Sequence, residues 1–549
     1  MKRVSGKAVA PGIAIGRLRF FRKKRMSAAR EHIKDSAVEI RRAEAAFDRA
    51  LRELSQICEN SRKTIGSDCA DIFEAHRLLL SDADYLGSIR SIILSEHVCA
   101  AYAAELAGAN FSRMLEQTDD VYLRERAEDI RDISERLVRI LTEQEEAEQP
   151  ENEAAPEESV ILAAVSLSPS ETVQLDRARI RAFITEQGSE NSHTAILARV
   201  MGIPAVSGIS LLPLWNAARA EGMTVIVDGG SGEVIFAPDR ETLHEYRARQ
   251  EAEQRKQEAL RALSGKPAET GSGKRIRLYA NAGTIRDVEA AFENDAEGIG
   301  LLRTEFLFLE RKTCPTEEEQ FLAYRAAVRA AAGRSLIIRT LDIGADKRPS
   351  YLMLSQEENP ALGLRGIRLS LSEQTHFRVQ LRALLRASAF GKIAVLYPMI
   401  SDLSELRAAK RIMTEAEREL SEEGISYDAG IRQGIMIETP AAALSAERLI
   451  AEADFFSIGT NDLTQYTLAV DRMGGDELEP FYHARHEAVL KLIRMSAEAA
   501  HRAGKKAEIC GELAHDRTLS SYFLELGIDA LSVAPPEILP LRQHIRALP

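Results

Sequence analysis

The chain has 549 residues, of which 45% are hydrophobic and 28% charged. That ordinary globular composition excludes a fibrous or largely disordered protein, and at roughly 150 residues per domain the length excludes a single core. Its 72 basic and 84 acidic residues leave a formal net charge of −12, which argues against a broad nucleic-acid footprint and suits a basic partner.

Residues 8 to 19 (AVAPGIAIGRLR) read as a short strand with a Pro-Gly turn. The pattern then becomes helical up to about residue 143, with Ile33, Ala37, Ile40, Phe47, Leu51, Leu54 and Cys58 at the spacing of a buried helix face, so a helical bundle is expected here. The run 143 to 159 (EQEEAEQPENEAAPEES) is acidic and without apolar periodicity, as a solvated connection would be. From Val160 the texture alternates again, through VILAAV, RAFIT and the pair VIVD and EVIF around a Gly-rich turn, which with the first strand makes a small α/β unit. Residues 240 to 263 have helix formers, charges of both signs and a sparse apolar stripe, the signature of an exposed linker helix.

Beyond Gly273 eight strand-like runs alternate with helical patterns: IRLYAN, GIGLLRTEF, SLIIRTLDIG, KIAVLYPM, GIMIET, DFFSIGTND, KAEICGE and ALSVAPP. Eight βα repeats fit a (β/α)8 barrel, whose chemistry sits at the C-terminal ends of its strands. Those ends carry Asn281, Arg303 with Glu305, Arg339 with Asp342, Glu438, Asn461 with Asp462, and Cys510 with Glu512. Glu438 and Asp462 form a carboxylate pair that suits Mg²⁺ better than zinc, although a rim ion pair is the commoner role of either carboxylate alone. Arg303, Arg339, Arg365 and Arg472 offer guanidinium forks that match phosphate and carboxylate oxygens, so the ligand is expected to be small and multiply anionic. Cys510 is placed to give or take a proton, while an average cysteine in such a place is a small buried hydrophobe.

In the small α/β unit, GSENSHTAILARVMGIPAV (188 to 206) predicts a helix from His193 to Met201, capped by Asn191 or Ser192 and ended by Gly202 and Pro204. His193 then stands in the first helical turn, where free backbone N–H groups favour an anionic group attached to it. Three weaker signals read as structure. GSGKR (271 to 275) lacks the P-loop spacing and is linker; His483 and His486 form a surface turn; Cys58, Cys69 and Cys99 are helix packing. No CxxC pair or ligand spacing occurs among the five cysteines, so a reducing compartment is expected without a disulfide framework or zinc site. No apolar run approaches the ~18 residues needed to cross a bilayer, and the basic start leads only into a segment broken by Lys7 and Pro11, so membrane insertion is not expected.

Taken together, VAPGIAIG, FEAHRLLLSD, ERAEDIRDISERL, SPSETVQL, NSHTAILAR, GIGLLRTEFLF, RTLDIGADK, EENPALGLRGIR, GIMIETPAA, FFSIGTNDLTQYTLAVDR and CGELAHD resemble the Enzyme I family of the bacterial sugar phosphotransferase system, one of the PEP-utilising enzymes, over nearly the whole chain. The resemblance implies a phosphoenolpyruvate–protein phosphotransferase that releases pyruvate in the first step of sugar uptake. It implies a multidomain α and α/β fold: residues 1–21 and 144–239 a swivelling phosphohistidine α/β domain, 22–143 an inserted helical domain that binds the phosphocarrier HPr, 240–263 a linker helix, and 264–549 a TIM barrel that binds phosphoenolpyruvate and forms a homodimer. His193 would be the phosphorylated nucleophile and Cys510 the proton donor to the enolate carbon. Arg303, Arg339, Arg472, Asn461 and Asp462 would bind substrate, with Arg365 adding to the anion site, and Glu438 and Asp462 would hold Mg²⁺. The implied location is cytoplasmic, with no nucleic acid. Ser168 stands where the family usually has threonine, and QGSENSH replaces the common GGxTSH around the histidine. Two other readings stand beside this one: a dikinase- or synthase-like relative with the same swivelling histidine, and a sensor that binds phosphoenolpyruvate without transfer.

Overall fold

Hydrophobic residues gather into separate cores, and the chain divides accordingly into two units, Met1–Arg255 and Lys256–Pro549. The computed structural model describes all residues except 22–26, 65–66, 119–120, 143–158, 168–171, 173–178, 189–192, 212–221, 310, 312, 345–348, 350, 353–356, 473 and 476. Ser168, the residues Asn191 and Ser192 expected to cap the His193 helix, and the acidic run almost to its end therefore lie outside the described residues.

The first unit holds eight strands: β1 (Lys2–Ser5), β2 (Lys7–Ala10), β3 (Ile13–Phe20), β4 (Val160–Ala164), β5 (Ile180–Thr185), β6 (Ala205–Ser207), β7 (Thr224–Asp228) and β8 (Glu233–Phe236). They form one sheet in the order β1-β8-β7-β3-β4-β5-β6-β2. The run β3, β4, β5 and β6 is parallel and the outer pairings are antiparallel. β4 is buried at all five positions because VILAA is apolar on both faces, as a central strand must be. The Gly-rich turn closes β7 onto β8, with Gly230 and Ser231 N–H groups donating to Asp228 Oδ1 at 3.1 Å each.

Between β3 and β4 the described residues form five helices, Ser36–Thr64, Ser67–Leu80, Ala83–Glu96, Ala100–Glu116 and Val121–Thr142. The face of the first keeps most of the expected stripe: Phe47, Leu54 and Cys58 are buried, and Ile33, Ile40 and Leu51 are partly buried against the same core. The helix starts at Ser36, past Ile33, and Ala37 is exposed. Its buried residues are Ala43, Ala46, Phe47, Ala50, Leu54 and Cys58. Small alanines make the seam and let neighbouring helices approach closely, while Glu39 is turned inward to a neighbouring helix end.

The eight predicted barrel strands all form: β9 (Arg277–Ala282), β10 (Gly298–Leu302), β11 (Ser335–Arg339), β12 (Ile393–Tyr397), β13 (Arg432–Ile437), β14 (Phe455–Ile458), β15 (Lys506–Ile509) and β16 (Ala530–Val533). Every neighbouring pair is parallel and β16 returns to β9, closing the barrel. Side chains alternate. Ile435, Ile437, Phe456, Ile458 and Ile509 pack outward against the helices, and a separate cluster of Leu301, Ile337, Ala394, Leu396, Met436, Phe455 and Cys510 fills the interior. Gly434 is required there, because a Cβ would stand 2.4 Å from the ring of Phe455. GSGKR is a turn beside the chain's last residue, with Ser272 Oγ donating to the Pro549 carbonyl at 3.1 Å.

Candidate active site

A cavity of about 1110 Å³ opens at the C-terminal ends of the barrel strands. It is lined by Arg303, Arg339, Arg365, Glu438, Asn461, Asp462, Arg472 and Cys510, the eight barrel residues expected to bind substrate or metal or to move a proton. Period-two alternation brings them in: Arg339 follows Ile337 on the inner face of β11, and Glu438 follows Met436 just past β13.

The charges are tightly interlocked. Arg339 donates from Nη2 to Glu305 Oε1 at 2.6 Å and pairs through Nη1 with Asp342 Oδ2 at 2.8 Å. Arg365 donates from Nη1 to Asp462 Oδ1 and to the Tyr466 hydroxyl, both at 3.2 Å, and from Nη2 to Asp342 Oδ2 at 3.3 Å. Burial opposes the charge of both guanidinium groups, but the surrounding carboxylates outweigh it and hold both firmly protonated. Burial likewise opposes ionisation of Asp342, and Arg339 and Arg365 overcome it to keep this carboxyl below its ordinary range. Arg303 and Arg472 are exposed at the cavity wall, and among the described residues neither side chain has an ion-pair partner. The cavity therefore has two arginines already held by carboxylates and two free to meet a ligand.

Glu438 is 1% exposed and accepts the Met399 N–H on Oε1 at 2.6 Å. Met399 has φ of +57°, a left-handed conformation that costs a non-glycine residue roughly 1–3 kcal/mol and is kept by the surrounding structure. Burial first, then the neighbouring Asp342 and Asp462, push Glu438 up to about 8. Cys510 is 5% exposed, its thiol donates to the Ile458 carbonyl at 3.6 Å, and burial pushes it up to about 11. The thiol thus carries its proton at neutral pH. Asn461 and Glu512 lock each other: Asn461 Nδ2 donates to Glu512 Oε1 at 3.0 Å and Glu512 N–H donates to Asn461 Oδ1 at 2.9 Å.

Among the described residues the lining contains four arginines and six carboxylates: Glu305, Asp342, Glu438, Asp462, Asp471 and Glu512. A divalent cation bound beside them would offset the carboxylates that an anionic ligand meets there. Glu438, unsettled in its charge by two acidic neighbours, and Asp462 are donors of the type a hard cation takes. Among the described residues no group of three or more His, Cys, Asp or Glu forms a complete cage, so such a cation would draw its remaining oxygens from ligand and water.

His193 belongs to the other unit. It is the first residue of the helix His193–Met201, as the sequence predicts. Ala195 and Ala198 are buried in the core of the sheet, Leu197 in that of the helical insert, Arg199 Nη1 donates to the Val9 carbonyl at 3.1 Å, and Gly202 (φ +65°) ends the helix.

Sequence reasoning assigned no role to several residues that shape the cavity. Glu305 and Asp342 were visible as strand-end charges, but their part in orienting Arg339 and Arg365 depends on spatial neighbours. Tyr466 is four residues after Asp462 on the helix Thr460–Leu468, a spacing that could have shown it on the same face. Asn281 serves the scaffold: its amide donates to the carbonyls of Cys510 and Ser532 at 3.2 and 3.1 Å, tying the start of the barrel to its end. His486 caps the helix Glu487–Arg502, its Nδ1 accepting the Ala488 N–H at 3.2 Å.

A closed parallel barrel with buried ionisable groups converging at its C-terminal mouth defines a (β/α)8 enzyme. Family comparison narrows the class. The PEP-binding domain of PEP-utilising enzymes matches residues 257–549, the N-terminal domain matches 5–126 and the mobile domain matches 156–232. The phosphoenolpyruvate-protein phosphotransferase of Priestia megaterium is 41% identical over 549 residues, covering 100% of this chain and 94% of that protein. Those of Bacillus subtilis and Geobacillus stearothermophilus are 40% and 42% identical, with 100% of this chain covered and 95% and 93% of theirs. The chain belongs to the PEP-utilising enzyme family.

Proposed function

We propose that this protein is a phosphoenolpyruvate–protein phosphotransferase that passes a phosphoryl group from phosphoenolpyruvate to its own His193 and from there to a histidine of the phosphocarrier HPr, the first step of sugar uptake. The observation that carries this reading is the convergence, in one cavity, of unpaired arginines, a carboxylate pair and a protonated buried thiol in a member of this family.

Arg303 and Arg472, free of carboxylate partners, bind the phosphate and carboxylate of the substrate, with Arg339 and Asn461 fixed in orientation by Glu305 and Glu512. Glu438 and Asp462 would hold Mg²⁺, which when bound would neutralise charge on the substrate oxygens. An imidazole nitrogen of His193 attacks phosphorus in line; the N–P bond forms as the P–O bond to the enol oxygen breaks. The Cys510 thiol then gives its proton to the methylene carbon of the enolate, yielding pyruvate, and the thiolate recovers a proton from solvent. Arg365, held by Asp342, Asp462 and Tyr466, acts as a positioning residue for the metal-binding carboxylate.

The domain assignment follows: the α/β domain (1–21 and 144–239) carries His193, the helical insert (22–143) receives HPr, the helix from 240 to 263 is the hinge about which the histidine domain swivels, and the barrel (264–549) binds phosphoenolpyruvate and pairs with a second copy in the cytoplasm. Incubation with ³²P-phosphoenolpyruvate and Mg²⁺ tests this reading. The expected product is acid-labile phosphate on the chain, transferable to HPr; label that persists in His193→Ala overturns it.

A further inference from the structure

The inner face of the barrel carries a second polar assembly at the opposite end from the active-site cavity. β13 reads, from its start inward, Arg432, Gly434 and Met436; β15 starts Lys506 and Glu508; β9 starts Arg277 and continues to Tyr279. The apolar interior cluster, from Ile337 to Phe455, lies between these first residues and the strand ends at the other mouth. Together they line a separate cavity of about 540 Å³, within the range of small-molecule sites.

Its lining has six cations against three carboxylates. Two carboxylates are already engaged, Glu297 by Arg275 at 3.0 Å and Asp428 by the Gly430 N–H at 2.8 Å. Among the described residues, Arg277, Arg334, Lys392, Arg432 and Lys506 have no carboxylate within ion-pair distance. Arg334 and Arg432 are instead held over aromatic faces, 4.0 Å from the Phe292 ring centroid and 5.6 Å from that of Phe455, which fixes the guanidinium groups and leaves their N–H edges open. At the floor stands Glu508, 6% exposed, whose Oε2 has no hydrogen-bond partner. Beside it Tyr279 is 4% exposed, its ring accommodated by Gly298, where a Cβ would stand 3.0 Å away. A rim of charges serving only solubility would be paired or fully solvated. What sets this rim apart is its floor: five cations without a carboxylate partner, four of them exposed and two held over aromatic faces, ring a buried acceptor that lacks a donor, and a buried carboxylate oxygen without a partner costs free energy until something fills its place.

We propose that the N-terminal mouth of the barrel binds a small hydroxylated organic anion. Its phosphate or carboxylate meets the N–H groups of Arg277, Arg334, Lys392, Arg432 and Lys506, and a hydroxyl donates to Glu508 Oε2. A bare inorganic anion satisfies the ring but not the floor, so the site discriminates by the hydroxyl. The proposal is independent of the reaction assigned to the other mouth.

Hydrogen exchange of the full-length protein, read peptide by peptide, tests it with glycerol 3-phosphate as probe and with inorganic phosphate and glycerol as comparison arms. Glycerol 3-phosphate is expected to slow exchange in the segments around 277–279, 392–393, 430–432 and 506–508. Its apparent affinity there should fall at least tenfold in the Lys392→Ala/Arg432→Ala double variant, whose side chains are exposed and whose loss leaves the core intact. Glu508→Met should weaken glycerol 3-phosphate roughly tenfold, the value of one hydrogen bond, while leaving inorganic phosphate unchanged. Absence of protection at these segments, protection that survives the double variant, or inorganic phosphate binding as tightly as glycerol 3-phosphate would each overturn the proposal. If Glu508→Met does not fold, the double variant and the comparison arms decide.

Discussion

Cys510 and Glu508 share the inner face of the barrel, two residues apart along one strand direction, and burial acts on both by withholding their charged forms. For Cys510 the result is a proton donor that keeps its proton until about pH 11. Cys510→Ala is expected to leave phosphorylation of His193 by phosphoenolpyruvate possible but to slow pyruvate formation by roughly 10²–10⁴-fold, the usual span of a positioned acid. The decisive readout is stereochemical: from phosphoenolpyruvate tritiated at one defined methylene position, in D₂O, the native enzyme delivers deuterium to one face and yields a chiral CHDT methyl group of one handedness, and the variant delivers it to both and yields a racemic one. One-faced delivery in Cys510→Ala would assign the proton to another group. For Glu508, burial raises the carboxyl to about 7, against the opposing pull of Lys506 and Arg432. A carboxyl whose folded value lies above its unfolded value stabilises the fold fully only below the unfolded value of ~4.5, and that contribution is lost as pH rises towards 7. Glu508→Gln stays neutral throughout. Its stability relative to the native chain should therefore be near zero at pH 4.5 and grow to ~3 kcal/mol at most by pH 8. Urea unfolding at the two pH values measures this, and a difference that does not grow with pH would mean the carboxyl is ionised in the fold at no cost.

At the level of the helix and strand, buried polar groups again decide what periodicity cannot. The helix Ala100–Glu116 begins at Cys99, whose side chain makes no capping bond. The missing acceptor comes from another helix: Glu39 Oε2 takes the Ala100 N–H at 2.8 Å, and Arg42 Nη1 holds Glu39 Oε1 at 2.9 Å. Glu39→Ala removes both and should destabilise the insert by ~1–2 kcal/mol, as the loss of a cap does, while Glu39→Gln, which keeps an acceptor, should cost less than half as much. Equal losses in denaturant titrations of the two variants would show that charge rather than the cap matters. Glu39 was illegible in the sequence because a helix-face reading scores a glutamate as solvated, and its partner is 61 residues away. The barrel was legible for the opposite reason. Each strand is a short, mostly apolar run followed by a turn and a helical pattern, and eight repetitions leave one closed solution. By contrast β1, β2 and β6, of three or four residues, are defined by pairing with neighbours far along the chain rather than by pattern. The site followed the same division: its residue types were readable at the strand ends, whereas the pairing of Arg339 and Arg365 with Glu305, Asp342 and Asp462 emerged only from spatial neighbours.

For the molecule as a whole, the net charge of −12 is not spread evenly. Residues 143–159 contain eight glutamates and no lysine or arginine. More telling is the separation of His193 in one unit from the arginine–carboxylate cavity in the other. In the proposed reaction each unit serves a different half: the cavity activates phosphoenolpyruvate, and the histidine alone exchanges phosphate with the carrier. Damage to one unit should therefore leave the other half-reaction standing. Arg339→Ala leaves Glu305 and Asp342 without their shared cation and should lower labelling from phosphoenolpyruvate by at least 10²-fold. The same variant should accept phosphate from phosphorylated HPr within about twofold of the native rate, because that transfer uses no residue of the barrel. His193→Ala should lose both transfers yet still bind phosphoenolpyruvate in a calorimetric titration with Mg²⁺. If back-transfer from the carrier collapses in a folded Arg339→Ala chain, the barrel takes part in the second half-reaction too, and the division of labour between the units is wrong.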